Sequence, residues 1–131
     1  MDFSNEAGGI KDGLLGGGMS SISQDLAGVD LSGADMHGAN LNAADLSKAN
    51  FYKANLRGAL IRKALTNDAN FSEADLSGAV LQSSFSMVNF SGAKLNGAFC
   101  YYAGLSGTNF SNAKLCGADL REARLDRKSV V

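Results

Sequence analysis

From Ala34 onward the chain reads ADMHG, ANLNA, ADLSK, ANFYK, ANLRG, ALIRK, ALTND, ANFSE, ADLSG. A large apolar residue returns at every fifth position: Leu26, Leu31, Met36, Leu41, Leu46, Phe51, Leu56, Ile61. Two residues before each stands a small one, usually Ala, and the residue between is often Asp or Asn. A period of five fits neither an α-helix nor a flat strand, so the backbone must turn a corner once per repeat. At 131 residues the whole chain is one domain by length.

The apolar centres hold register from Leu26 through Leu81, then continue one residue early at Phe85, Phe90, Leu95, Leu105, Phe110, Leu115, Leu120 and Leu125. One residue is missing near Gln82–Ser84. Assigning the centres to four sides in turn across this slip puts Phe51, Phe71, Phe90 and Phe110 in one column. The same assignment aligns Asn50, Asn70, Asn89 and Asn109 beside them, and Gly38, Gly58, Gly78, Gly97 and Gly117 at one corner. Three columns falling into register together point to four repeats per coil. Stacked Phe rings gain offset contacts, and stacked Asn side chains can bond along a ladder. A Gly column suits corners of positive φ. The corners that carry Lys48, Lys53, Lys63 and Glu73 are expected to turn differently.

This pattern resembles the pentapeptide-repeat family, whose motif is A(D/N)LXX, and the resemblance runs from Gln24 to the C-terminus. It implies an all-β solenoid, a right-handed quadrilateral parallel β-helix of about five coils. The centre and the preceding Ala point inward, where each centre stacks on its equivalent one coil away at about 4.8 Å, and the other three positions face solvent. Residues 24–131 are assigned to this β-helix and residues 1–23 to a Gly-rich leader or cap. Ile10, Leu14, Leu15 and Met19 can cover the first coil, although the many glycines between them disfavour an isolated helix. The C-terminal LDRKSVV offers no evident cap for the cut end of a solenoid.

A core filled with Leu, Phe and Ala leaves no pocket in which catalytic groups converge. The single His37 follows the centre Met36 and points outward, away from any ligand set. Asp25, Asp30, Asp35, Asp45, Asp75 and Asp119 occupy the D/N position of the repeat, so structure explains them better than acid–base work. GLLGGG at Gly13–Gly18 lacks the Lys-Ser/Thr of a phosphate loop. Cys100 takes a centre position and should be buried, while Cys116 follows a centre and should point outward, so the two should not pair. Free thiols fit a reduced, cytoplasmic protein. No apolar run approaches the roughly 20 residues of a membrane span, and the N-terminus lacks the basic start and apolar core of a signal peptide. The expectation is a non-enzyme with no metal and no cofactor.

One departure from the motif bears on function. Before the centre, one side reads Asn40, Leu60, Val80, Phe99, Asp119, with apolar residues in three adjacent coils where Asp or Asn is expected. Tyr101, Tyr102, Arg62 and Arg121 fall on the same side, and Leu65 and Met87 lie around the next corner. Apolar residues with aromatics and Arg have the composition of an interface. The competing reading is that they cover one another, or that the slip folds a loop over them. Leu60, Val80, Phe99, Tyr101, Tyr102 and Arg62 are thus the candidate binding residues of a scaffold that presents flat faces to a protein partner or to a second copy. The resemblance also brings an alternative, since some members of the family mimic duplex DNA and protect DNA gyrase. Those members are strongly acidic, whereas the net charge here is −1 and the chain from Ser83 onward is basic. That balance argues against both the DNA-mimic role and a nucleic-acid partner. Proteins of this kind are abundant in cyanobacteria.

Overall fold

The computed structural model describes residues 24–125. The leader assigned to residues 1–23 and the end of the chain from residue 126 lie outside the described residues. Parallel bridges join Asp25 to Asp45, Asp30 to Asn50, Asp35 to Asn55 and Asn40 to Leu60, a constant step of twenty residues. Four five-residue sides therefore complete one coil. Face 1 carries the centres Leu26, Leu46, Thr66, Phe85 and Leu105; face 2 carries Leu31, Phe51, Phe71, Phe90 and Phe110. Face 3 carries Met36, Leu56, Leu76, Leu95 and Leu115; face 4 carries Leu41, Ile61, Leu81, Cys100 and Leu120. Two segments on face 4 are regular enough to count as strands, β1 (Leu60–Arg62) and β2 (Val80–Gln82), paired in parallel with Leu60 opposite Val80.

Repeats that keep the Asp or Asn before the centre dispose of their five backbone N–H groups in one common way. Taking the repeat at Phe51, the N–H of Phe51 bonds to Asn70 in the next coil at 2.7 Å and that of Lys53 to Ser72 at 3.1 Å. The N–H of Asn50 reaches back to Val29 at 3.0 Å, and that of Ala54 closes the corner onto Phe51 at 2.9 Å. The fifth, on Tyr52, is taken by the Asn50 side chain at 3.1 Å. In a repeat that keeps this scheme every amide has a partner, so proline has no free position there, and the chain contains none.

The interior is the predicted one. The centres from Leu31 to Leu105 and the Ala residues two positions before them are buried, and the Phe column stacks. Ring centroids lie 4.8 Å apart for Phe51–Phe71, 5.2 Å for Phe71–Phe90 and 5.4 Å for Phe90–Phe110, with interplanar angles of 7°, 18° and 5°. Phe85, the neighbour on face 1, meets Phe71 edge-on at 6.1 Å. Asn70 donates to Asn50 at 3.2 Å and Asn50 to Asp30 at 3.3 Å, so the expected side-chain ladder forms in the first three coils, while Asn89 and Asn109 instead cap the Ser91 and Ser111 N–H groups of their own repeats.

The corners differ from expectation. Lys48, Lys53, Lys63 and Glu73 have φ of 60°, 58°, 55° and 56°, the same left-handed conformation as Gly58 at 67°. Corner geometry is set by the five-residue ladder, which needs one left-handed residue at each regular corner whether or not glycine supplies it.

The slip is absorbed at a single corner. Steps of nineteen residues appear at Asn70–Asn89, Asp75–Lys94 and Val80–Phe99, and the step of twenty returns at Ser84–Gly104. No loop folds outward there. The Ser83 hydroxyl donates to the Ile61 carbonyl at 2.8 Å and accepts from the Ala64 N–H at 3.0 Å, bridging two groups that bond directly at other corners. The Thr66 hydroxyl donates to the Ser84 carbonyl, and the Thr108 hydroxyl to the Phe85 carbonyl at 3.0 Å. All three hydroxyl residues are buried.

Candidate protein-interaction surface

Bridges Leu60–Val80 and Val80–Phe99 place the three apolar residues in one outward column on face 4, between Asn40 and Asp119. They are not equally exposed. Phe99 shows half its surface, whereas Leu60 and Val80 are half-buried, contrary to the expectation that all three stand open. Each of the two inner residues is flanked by side chains one coil above and one below at strand spacing, which covers its sides and leaves only its tip in water.

Beside that column, Arg62 donates from Nε to the Gln82 side chain at 3.0 Å. Arg121 holds Asp119 with two hydrogen bonds, at 2.9 and 2.8 Å, and its guanidinium lies 5.6 Å from the Tyr101 ring centre. That contact holds the Asp119 carboxyl below the usual carboxylate range. Tyr101 packs on Tyr102 with ring centroids 4.1 Å apart, and the hydrogen bond between their hydroxyls pushes the Tyr101 phenol up. Tyr101 is thereby tied into the fold, while Tyr102 is 66% exposed at the corner. Leu65 and Met87, around that corner, are also exposed, at 57% and 68%.

Of the six predicted residues, then, Phe99 and Tyr102 stand out as free apolar surface. Leu60 and Val80 form their half-buried support, and Tyr101 and Arg62 are anchored at the edge. Cys100, directly behind, is buried among the face 4 centres; burial first, and then the Asp119 charge, push its thiol up to about 12. It stays protonated and unreactive at neutral pH. Cys116 is exposed, as expected. His37 is less solvated than the sequence suggested, because its Nδ1 lies 2.7 Å from the Asp35 carboxylate. Among the described residues no three His, Cys, Asp or Glu side chains are grouped to hold a metal, and no helix is long and apolar enough to cross a membrane.

The family model for pentapeptide repeats, spanning eight copies, matches residues 25–62, 59–99 and 83–125. The chain belongs to the pentapeptide-repeat family. Its fold is accordingly the right-handed quadrilateral β-helix of pentapeptide-repeat proteins. Among solved structures, a pentapeptide-repeat protein from Nostoc PCC 7120 is 31% identical with a TM-score of 0.55, covering 78% of this chain and 80% of that one. A pentapeptide-repeat protein from the Arabidopsis thaliana thylakoid lumen is 34% identical with a TM-score of 0.44, covering 79% and 70%. The pentapeptide-repeat protein Rfr23 from the cyanobacterium Cyanothece 51142 is 23% identical with a TM-score of 0.44, covering 81% and 90%. Comparison with curated proteins gives no match.

Sequence reading of the pentapeptide repeat missed the hydroxyl seam of Thr66, Ser83 and Thr108. A signal was present: Thr66 stands at a centre and Thr108 at an Ala position, both otherwise apolar. A buried hydroxyl there implies a carbonyl within reach.

Proposed function

We propose that this pentapeptide-repeat protein is a non-catalytic interaction module that docks a protein partner on face 4. Phe99 and Tyr102 act as anchors, Leu60 and Val80 support them, and Tyr101 and Arg62 form the edge. The observation that carries this reading is the exposure of Phe99 in a column where the repeat elsewhere places Asp or Asn. Half of the Phe99 surface stays in water after folding, whereas the motif's own Asp or Asn would cap the corner. Aromatic side chains on a rigid, flat support lose little entropy on binding, the property that makes them anchors in interfaces.

Charge supports a protein partner over mimicry of DNA. In the second coil Lys48, Lys53, Arg57, Arg62 and Lys63 face a single Asp45, and in the third Asp68, Glu73 and Asp75 have no basic residue beside them in the same coil. The sign alternates along the axis instead of forming an acidic rod. Ion pairs join these coils, Lys53 with Glu73 at 3.6 Å and Arg57 with Asp75 at 3.9 Å.

The test compares wild type with Phe99→Asn and Tyr102→Ser in capture from an extract of the source organism and in sedimentation at rising concentration. Loss of an anchor should weaken association by about thirtyfold, the equivalent of about 2 kcal/mol, with an unchanged melting temperature. Equal capture and equal association by folded variants would refute the assignment of face 4.

A further inference from the structure

At twelve corners the Asp or Asn before the centre turns its Oδ1 back onto the N–H two residues on, at 2.9–3.4 Å. The chain thus shows repeatedly what this N–H binds: a carboxylate or carboxamide oxygen. On face 1 the pattern is abandoned in the later coils. After Asp45 the column reads Leu65, Ser84, Gly104, Arg124. Leu65 puts an apolar side chain at this position, but Gly104 has none.

Among the described glycines Gly104 alone lies outside the left-handed corners, so its backbone does not require glycine. What its bare Cα provides is room. A recess of about 330 Å³ opens there, lined by Ser84, Ser86, Tyr102, Gly104, Ser106 and Arg124 among others. A Cβ on Gly104 would intrude to 3.3 Å from the Ser84 hydroxyl. The Ser106 N–H, the donor that an Asp or Asn would take at this corner, makes no hydrogen bond among the described residues. Arg124 belongs to none of the ion pairs formed among the described residues.

We infer that this recess is a carboxylate-binding subsite in which an acidic side chain of the partner replaces the missing Asp or Asn of the repeat. One carboxylate oxygen accepts from the Ser106 N–H, as Oδ1 does at the other corners. The serine hydroxyls supply further donors, and the Arg124 guanidinium neutralises the charge through charge-assisted hydrogen bonds. A planar carboxylate fits because the vacated group was itself planar and because one Arg balances one negative charge. Tyr102 lines the recess and is also an anchor of face 4, so a partner seated on Phe99 and Tyr102 brings an Asp or Glu within reach. This last step rests on the proposed function; the carboxylate site itself does not.

The subsite is tested without any partner, by following the backbone amide resonances of the ¹⁵N-labelled chain during titration with acetate and, separately, with inorganic phosphate at constant ionic strength. Acetate should move the Ser106 amide along a saturable curve. Gly104→Asp supplies an internal carboxylate and should abolish that response, with its Ser106 amide already shifted in the absence of acetate. Arg124→Gln, an exposed substitution that leaves the fold intact, should raise the half-saturation concentration about tenfold. The inference is overturned if the Ser106 amide is unmoved or drifts without saturation. It is equally overturned if Gly104→Asp or Arg124→Gln responds like wild type, or if phosphate saturates the site and acetate does not. Success here together with failure of the face 4 variants would keep the subsite and discard the partner surface.

Discussion

Lys63 holds a long side chain on a backbone of φ 55°, and nine other described non-glycine residues share its left-handed conformation. For an L-residue this costs on the order of 1–2 kcal/mol, which only a rigid ladder above and below can enforce. Gly58 sits at an equivalent corner with nothing within 4 Å of where a Cβ would stand. Gly58→Ala should therefore lower stability by about 1–2 kcal/mol from backbone strain alone, read from a denaturant melt. The glycine column was legible in the sequence because glycine marks positive φ. The identical turns at Lys48 or Glu73 were not, because their residue types carry no such mark and only the ladder imposes the angle. The capping Asp residues bear on pH. Burial raises the Asp75 carboxyl, but the Ser77 hydroxyl and amide and the charges of Arg57 and Lys94 outweigh it and bring it below its ordinary 3.8. Asp30 is lowered chiefly by the Ser32 hydroxyl, and Asp45 by the Ser47 amide. A folded-state value below the unfolded one adds stability that is complete above about pH 4 and is lost as pH falls through the folded value. The melting temperature should hold from neutral pH to about pH 5 and drop below about pH 4, less steeply in Asp75→Asn, as thermal scans across that range will show.

At the scale of the coil, the Phe stack and the slip show what holds neighbouring turns together. Phe71 touches Phe51, Phe90 and Phe85 through its two faces and its edge. Phe71→Ala should cost about 3–5 kcal/mol in a denaturant melt, since coils fixed by backbone ladders on both sides cannot close on the void. A loss below about 1 kcal/mol would place Phe71 outside the core. Ser83 does the work of a missing residue, and Ser83→Ala leaves the Ala64 N–H and the Ile61 carbonyl unbridged at the cost of about 1–3 kcal/mol, measured in the same way. The missing residue itself could be counted from the sequence, because the apolar period is strict and Phe71 and Phe90 align across it. How the backbone closes over the deletion could not, since Ser83, two residues before the centre Phe85, looks like any small residue of the repeat until its hydroxyl is seen between two coils.

On the scale of the whole molecule, four flat faces differ mainly in what they display to water. Face 2 carries its column of Asn side chains, face 3 the column Asp35, Asn55, Asp75, Lys94 and Lys114, and face 4 the apolar column that ends at Phe99. The sequence located that column correctly, since the departure from Asp or Asn is visible residue by residue. It overstated the exposure of Leu60 and Val80, because burial between stacked coils depends on both neighbours at once. It gave no sign of the recess at Gly104, where the informative feature is a missing side chain. If face 4 is the docking surface, proximity to a partner must be specific to it. A photo-cross-linking residue placed at position 99, with a control at position 72 on face 2, measures that directly in an extract of the source organism. A discrete protein adduct is expected from position 99 and none from position 72. Adducts of equal yield from both positions, or from position 72 alone, would contradict it.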